Sequence, residues 1–109
     1  MKIQKFDEFI LESTDLSIAK DIKEQIGHKA FYMMGAWNLV AHENGLSFRI
    51  KGSSKYNYIK VEVTGMDLFN VTFMKLGKDK IIRQEKVEGI YNDMLHKTIE
   101  TNTGLYLSL

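Results

Sequence analysis

The chain has 109 residues, 44% of them hydrophobic and 27% charged, with no Cys and no Pro. That is enough apolar material for one domain with one core, and it is not the make-up of a disordered chain. The lack of Cys excludes disulfides, thiolate nucleophiles, Cys-based zinc sites and iron–sulfur clusters. Fifteen basic against fourteen acidic residues leave +1, so total charge does not mark a nucleic-acid binder. No apolar run approaches the ~18 residues that a membrane-spanning helix needs.

Without Pro, every bend must be made by Gly, Asn, Asp or Ser. Glycines at 27, 35, 45, 52, 65, 77, 89 and 104 cut the chain into pieces the size of short strands and modest helices. Residues 1–12 read as a short amphipathic helix. Ile3, Phe6, Phe9 and Ile10 recur at helical spacing, opposite Lys2, Lys5, Asp7, Glu8 and Glu12. Twelve residues are marginal as an isolated helix, so this segment needs a partner. It is no secretory signal, because Asp7 and Glu8 interrupt any apolar core.

Ser13, Thr14 and Asp15 break that helix and cap the next. Ile18, Ala19, Ile22 and Ile26 form one stripe, predicting a helix over 16–26 that stops at Gly27. Residues 30–41 are apolar and aromatic without a clean period. Their Phe, Tyr, Trp and Val content favours two short strands around Gly35, with a turn at 42–45. Strict alternation then predicts strands around Leu46–Ile50, Tyr58–Val63, Leu68–Leu76 and Ile81–Val87. Their turns fall at Gly52-Ser53-Ser54, Gly65-Met66-Asp67 and Gly77-Lys78-Asp79. Ile90, Met94, Leu95 and Ile99 predict a final helix that begins at Glu88-Gly89 and ends at Gly104, followed by an alternating tail over 105–109. The fold class expected is α+β: an antiparallel sheet of four to six strands, with an N-terminal and a C-terminal helix packed on one face.

No motif carries catalytic or cofactor chemistry. His28, His42 and His96 lack ligand spacing and read as solvated turn or helix-surface residues. His42-Glu43 starts like a zinc-protease motif, but Leu46 and Ser47 stand where its second His is needed. Gly77-Lys78 lacks the upstream glycine of a phosphate loop, and no Gly-x-Ser-x-Gly elbow occurs. The chain therefore reads as a non-enzyme with no catalytic residue, no cofactor and no metal. The methionines and Trp37 read as core filler and core anchor.

One regional charge stands out. Leu46 to Lys86 holds nine basic residues and four acidic ones, a difference of +5. Arg49, Lys51, Lys60, Lys75, Lys80 and Arg83, with tyrosines among them, could form a face that holds phosphates and stacks bases. The simpler reading is a solvated outer sheet face whose lysines keep strands of other chains away.

Met1-Lys2, Phe9-Ile10 and Ile10-Leu11-Glu12 give the N-terminus its most specific pattern. It resembles the capsid-targeting leader of the internal head proteins of T-even-type bacteriophages, though slightly longer than usual. In that family the leader directs a protein into the prohead scaffold, and the prohead protease cuts after the Glu of a Leu/Ile-x-Glu motif. The resemblance implies a cut between Glu12 and Ser13. Ile3, Phe6, Phe9 and Ile10 would be the face that docks on the scaffold, a helix-in-groove mode. Two organisations fit: residues 1–12 are a removable leader before a domain of 13–109, or they are a first helix packed on that domain. Removal would leave thirteen basic and eleven acidic residues, or +2.

Gly35-Ala36-Trp37-Asn38-Leu39-Val40, Asn44-Gly45-Leu46-Ser47-Phe48, Gly65 to Phe73, Glu88-Gly89-Ile90-Tyr91 and Thr103 to Leu107 resemble shared stretches of a group of small tailed-phage proteins. That group carries no activity to transfer. Together the resemblances imply a protein of the virion interior, or of the host cytoplasm during infection. The implied partners are the scaffold or protease and then a host defence protein. Nucleic acid is the alternative partner, and no membrane is implied.

Overall fold

The computed structural model describes residues 17–64 and 68–105. The leader with its Glu12-Ser13 bond, the 65–67 turn and the tail beyond Leu105 lie outside the described residues. Two helices come first, α1 (Ser17–Ile26) and α2 (His28–Met34). Five strands follow: β1 (Trp37–His42), β2 (Gly45–Arg49), β3 (Tyr58–Val63), β4 (Phe69–Leu76) and β5 (Ile81–Ile90). A 3-10 turn (Asn92–Met94) leads into α3 (Leu95–Thr103). The strands pair in chain order as an antiparallel meander, so α+β with a five-stranded sheet is the architecture.

The period-two pattern decides which residues enter the core. Leu46, Phe48, Ile59, Val61, Phe69, Val71 and Phe73 point inward and are buried. Across the strands they meet as Leu46–Val61–Val71 and Phe48–Ile59–Phe73. The helices close this face with Ala19, Ile22 and Ile26 of α1, Ala30, Phe31 and Met34 of α2, and Leu95 and Ile99 of α3. Phe31 meets Phe48 edge-on, with centroids 5.1 Å apart and planes at 75°. Such a pair adds about 0.5–1.5 kcal/mol beyond the area it buries.

Two element boundaries and one burial depart from the sequence reading. Residues 30–34 are helix, not strand: Ala30, Phe31 and Met34 form a one-sided helical stripe, and Gly35 ends it in the left-handed conformation (φ 65°). The aromatic content that favoured a strand there reflects burial rather than backbone preference. Second, Glu88–Ile90 belong to β5 rather than to the last helix, so α3 begins only at Leu95. Gly89 (φ 71°) makes a bulge that a side chain would resist, and its N–H is held by Asn70 Oδ1 at 3.2 Å. The bulge returns Ile90 to the inner face opposite Phe69. Third, Trp37 is not in the core but 46% exposed.

Side chains fix the long connection between β2 and β3. Met34 O accepts the N–H groups of both Lys51 and Gly52 at 3.0 Å. Ser53 Oγ donates to Thr103 O at 2.8 Å and accepts from the Lys55 and Tyr56 amides. Asn57 extends the ladder with its carboxamide, donating to Leu76 O and accepting from Leu76 N–H. The bonds to Met34 O and Thr103 O tie the loop to the C-termini of α2 and α3, where helices leave carbonyls unpaired.

Gly45 opens β2 at the two-residue turn from β1, opposite Glu62. A Cβ there would collide with the backbone carbonyl oxygen of Val61. Backbone cannot swing aside as a side chain can, so Gly45→Ala should destabilise the fold by roughly 1–3 kcal/mol. Urea unfolding followed by circular dichroism checks this, and an unchanged midpoint would contradict it.

Candidate functional site: the open face of the sheet

Among the described residues, α1, α2 and α3 all pack on one face, and the other carries the residues that alternate outward. Strand register arranges them in transverse rows. One row reads Trp37, Arg49, Tyr58, Met74 and Gln84. The next reads Val40, Ser47, Lys60, Thr72 and Lys86. A third reads His42, Gly45, Glu62 and Asn70. Aromatic and cationic groups thus collect at one end of the face, and His42 and Glu62 stand at the other.

Trp37 reaches this face through a backbone irregularity. Leu39 and Ala41 point into the core, so plain alternation would turn Trp37 inward as well. The register shifts between Trp37 and Val40, where three steps on β1 match two on β2. Asn38 absorbs the extra residue with φ 56°, a left-handed conformation that Asn adopts more readily than most residues. Trp37 is thereby turned outward, opposite Arg49. The Arg49 guanidinium carbon lies 5.7 Å from its ring centroid and Lys51 Nζ lies 5.6 Å away. Lys51 is held there because its own N–H is bonded to the end of α2. Among the described residues neither cation has a carboxylate partner, so both charges are directed at the ring and at solvent.

The six basic residues singled out from the sequence do not form one face. Arg49 and Lys60 are on the open face, with Lys51 beside it at Trp37. Lys60 is engaged by Glu62 at 3.5 Å. Lys75 and Arg83 are register partners on the helix side, where the β4–β5 hairpin leaves Arg83 exposed. Lys75 Nζ donates to Ser54 O at 2.8 Å. Arg83 lies by the Tyr56 hydroxyl, which donates to Glu85 at 2.7 Å. That hydrogen bond, with burial, holds the Tyr56 phenol above its ordinary value of 10.0. Lys80 lies in the β4–β5 turn. Splitting by alternation is what a contiguous sequence window conceals: neighbours in a strand face opposite ways.

His42 is not a solvated turn residue. It ends β1, half-buried, and its Nε2 shares a 2.8 Å hydrogen bond with Ser47 Oγ. Burial first, and then Lys60, lower its pKa below 6.5, with Glu62 opposing. A serine beside a neutral imidazole has the outline of a nucleophile and its base. Ser47, however, is only 3% exposed, so no substrate carbonyl reaches its Oγ. The pair is a structural hydrogen bond on a tightly packed central strand. Its sequence signal was the small residues Gly45 and Ser47, which let neighbours close over β2.

An open cleft of about 770 Å³ runs between α1, the facing ends of β3 and β4, and Asn92. Among its described lining residues Asp21 is the one carboxylate, beside Gln25, Thr64 and Asn92. Among the described residues no three His, Asp or Glu side chains gather as a metal site, and no helix is long and apolar enough to cross a membrane. Comparison with protein-family models, curated proteins and solved structures finds no match.

The His42 environment makes stability depend on pH. Its folded pKa is depressed, so the unfolded chain binds the extra proton between that value and 6.5. The contribution is complete above about 6.5 and falls as pH drops below it. Thermal unfolding at pH 7.5 and pH 5 should show a larger loss in the native chain than in His42→Asn. Equal losses would mean that His42 is not the group titrating.

Proposed function

We propose that the chain is a non-enzymatic protein of a tailed bacteriophage, carried inside the head behind a leader cut between Glu12 and Ser13. The scaffold or its protease is the first partner. After ejection into the host cytoplasm, the domain binds and blocks a host defence protein. The observation that carries this reading is Ile10-Leu11-Glu12 at the end of an amphipathic segment with Ile3, Phe6, Phe9 and Ile10 on one side. An open face with an exposed Trp beside Arg and Tyr supplies the residue types that anchor protein interfaces. Mass spectrometry of purified virions should find a chain that begins at Ser13. A full-length chain in the particle, or none at all, would overturn the proposal.

A second reading is a small nucleic-acid-binding module that uses the same face. It is favoured by Arg49 and Lys51, two cations beside an exposed aromatic ring with no described carboxylate to neutralise them. Electrophoretic mobility of single- and double-stranded oligonucleotides at low salt should then fall on adding the protein, and the shift should fade as salt rises. Unchanged mobility of both removes this reading.

A further inference from the structure

The row of Trp37, Arg49 and Tyr58 joins two features on one stretch of exposed sheet. One is a large aromatic surface 46% exposed, and the other is positive charge, Arg49 and Lys51, that rests over that ring without a described carboxylate partner and must swing off it towards phosphate when a base stacks there. Trp37 is the only tryptophan in the chain, and it is 46% exposed. Exposing indole costs the burial it would gain in the core. The backbone spends an unusual conformation at Asn38 on keeping it out there. Tyr58 lies two strands away in the same row, at roughly 10 Å by strand spacing, with Arg49 between them.

We propose that this row is a stacking site for single-stranded nucleic acid. A base lies on the Trp37 ring and a second can lie on Tyr58, while Arg49 and Lys51 meet the phosphates that flank the stacked base. The proposal rests on the nucleic-acid reading of the open face and narrows it to the strandedness of the ligand. Three observations select a single strand. Stacking needs an unpaired base, because in a duplex both π-faces are already covered. The only cations of the face without a described carboxylate partner are gathered at the ring, where a stacked nucleotide would place its phosphate. The remaining cations of the face, Lys60 and Lys86, are tied to Glu62 and Glu88 at 3.5 and 3.8 Å. The face therefore lacks the extended run of free charge that holds a duplex backbone. Bases would be held with little sequence preference, since every base has a π-face.

The test uses the full chain and a 20-mer of deoxythymidine, with a duplex of equal length as the comparison. Stacking on the sole indole should quench its fluorescence with the single strand and not with the duplex. Two phosphate contacts should give a slope of log K on log salt near −1.4, and Arg49→Ala or Lys51→Ala should each lower it by about 0.7. Binding of a labelled 20-mer, read by anisotropy, should weaken roughly tenfold to hundredfold in Trp37→Ala. Trp37→Phe should recover part of that loss. Tyr32→Ala, 76% exposed on α2 outside the row, should bind as the native chain does, and it controls for general surface effects. Salt-sensitive binding that is equal for both ligands and unmoved in Trp37→Ala overturns the stacking site while the nucleic-acid reading stands. Absence of binding to either ligand overturns both.

Discussion

The constraint behind the rest of this structure is cover on one side. Among the described residues, five strands present two faces, and helices of ten, seven and nine residues close one of them. A sheet face left in water must be polar, or its apolar groups must be justified by what they touch. The inner face therefore concentrates the aromatics and β-branched residues under α1, α2 and α3. Where the β4–β5 hairpin carries that same face to Arg83 and Glu85, its side chains become charged and Tyr56 folds in from the β2–β3 loop to meet them. Tyr56 packs on Phe73 with ring centroids 5.4 Å apart, while its hydroxyl stays with Glu85. It joins the apolar end of the core to the polar end of the hairpin.

Much of this was legible in the chain. Alternation located β2, β3 and β4, because apolar and polar residues take turns along each. The helical stripe of Ile18, Ala19, Ile22 and Ile26 located α1 for the same reason. Legibility ended where a residue's neighbours in space differ from its neighbours in sequence. Residues 30–34 are apolar almost throughout, so no period distinguished a buried helix from a strand. Glu88–Ile90 read as a helix start because the glycine there resembles a boundary. In the fold it is a bulge that lengthens β5.

The open face was legible as a stretch of chain and not as a surface. A window from Leu46 to Lys86 counts nine cations, but alternation and turns divide them between two faces and a loop. The tryptophan that completes the cluster reads as an interior residue, since a large indole among Leu39, Val40 and Ala41 is ordinarily buried. What reversed it is one left-handed residue at Asn38, a conformation that composition does not announce. The His42–Ser47 pair was hidden in a similar way: the two residues belong to different strands and meet only because the turn between β1 and β2 is short.

The bulges have a bearing on crowding. Both outer strands of the meander, β1 and β5, carry a register shift, and β5 carries one near each end. Its regular stretch is only Arg83 to Val87, and charged residues fill most of it. A foreign strand approaching either margin finds a few matched hydrogen bonds before the spacing slips or a charge intervenes. The borders of the five described strands are thus poor templates for another strand. At very high protein density each molecule meets copies of itself more often than anything else, and borders of this kind keep such a population from knitting into fibres.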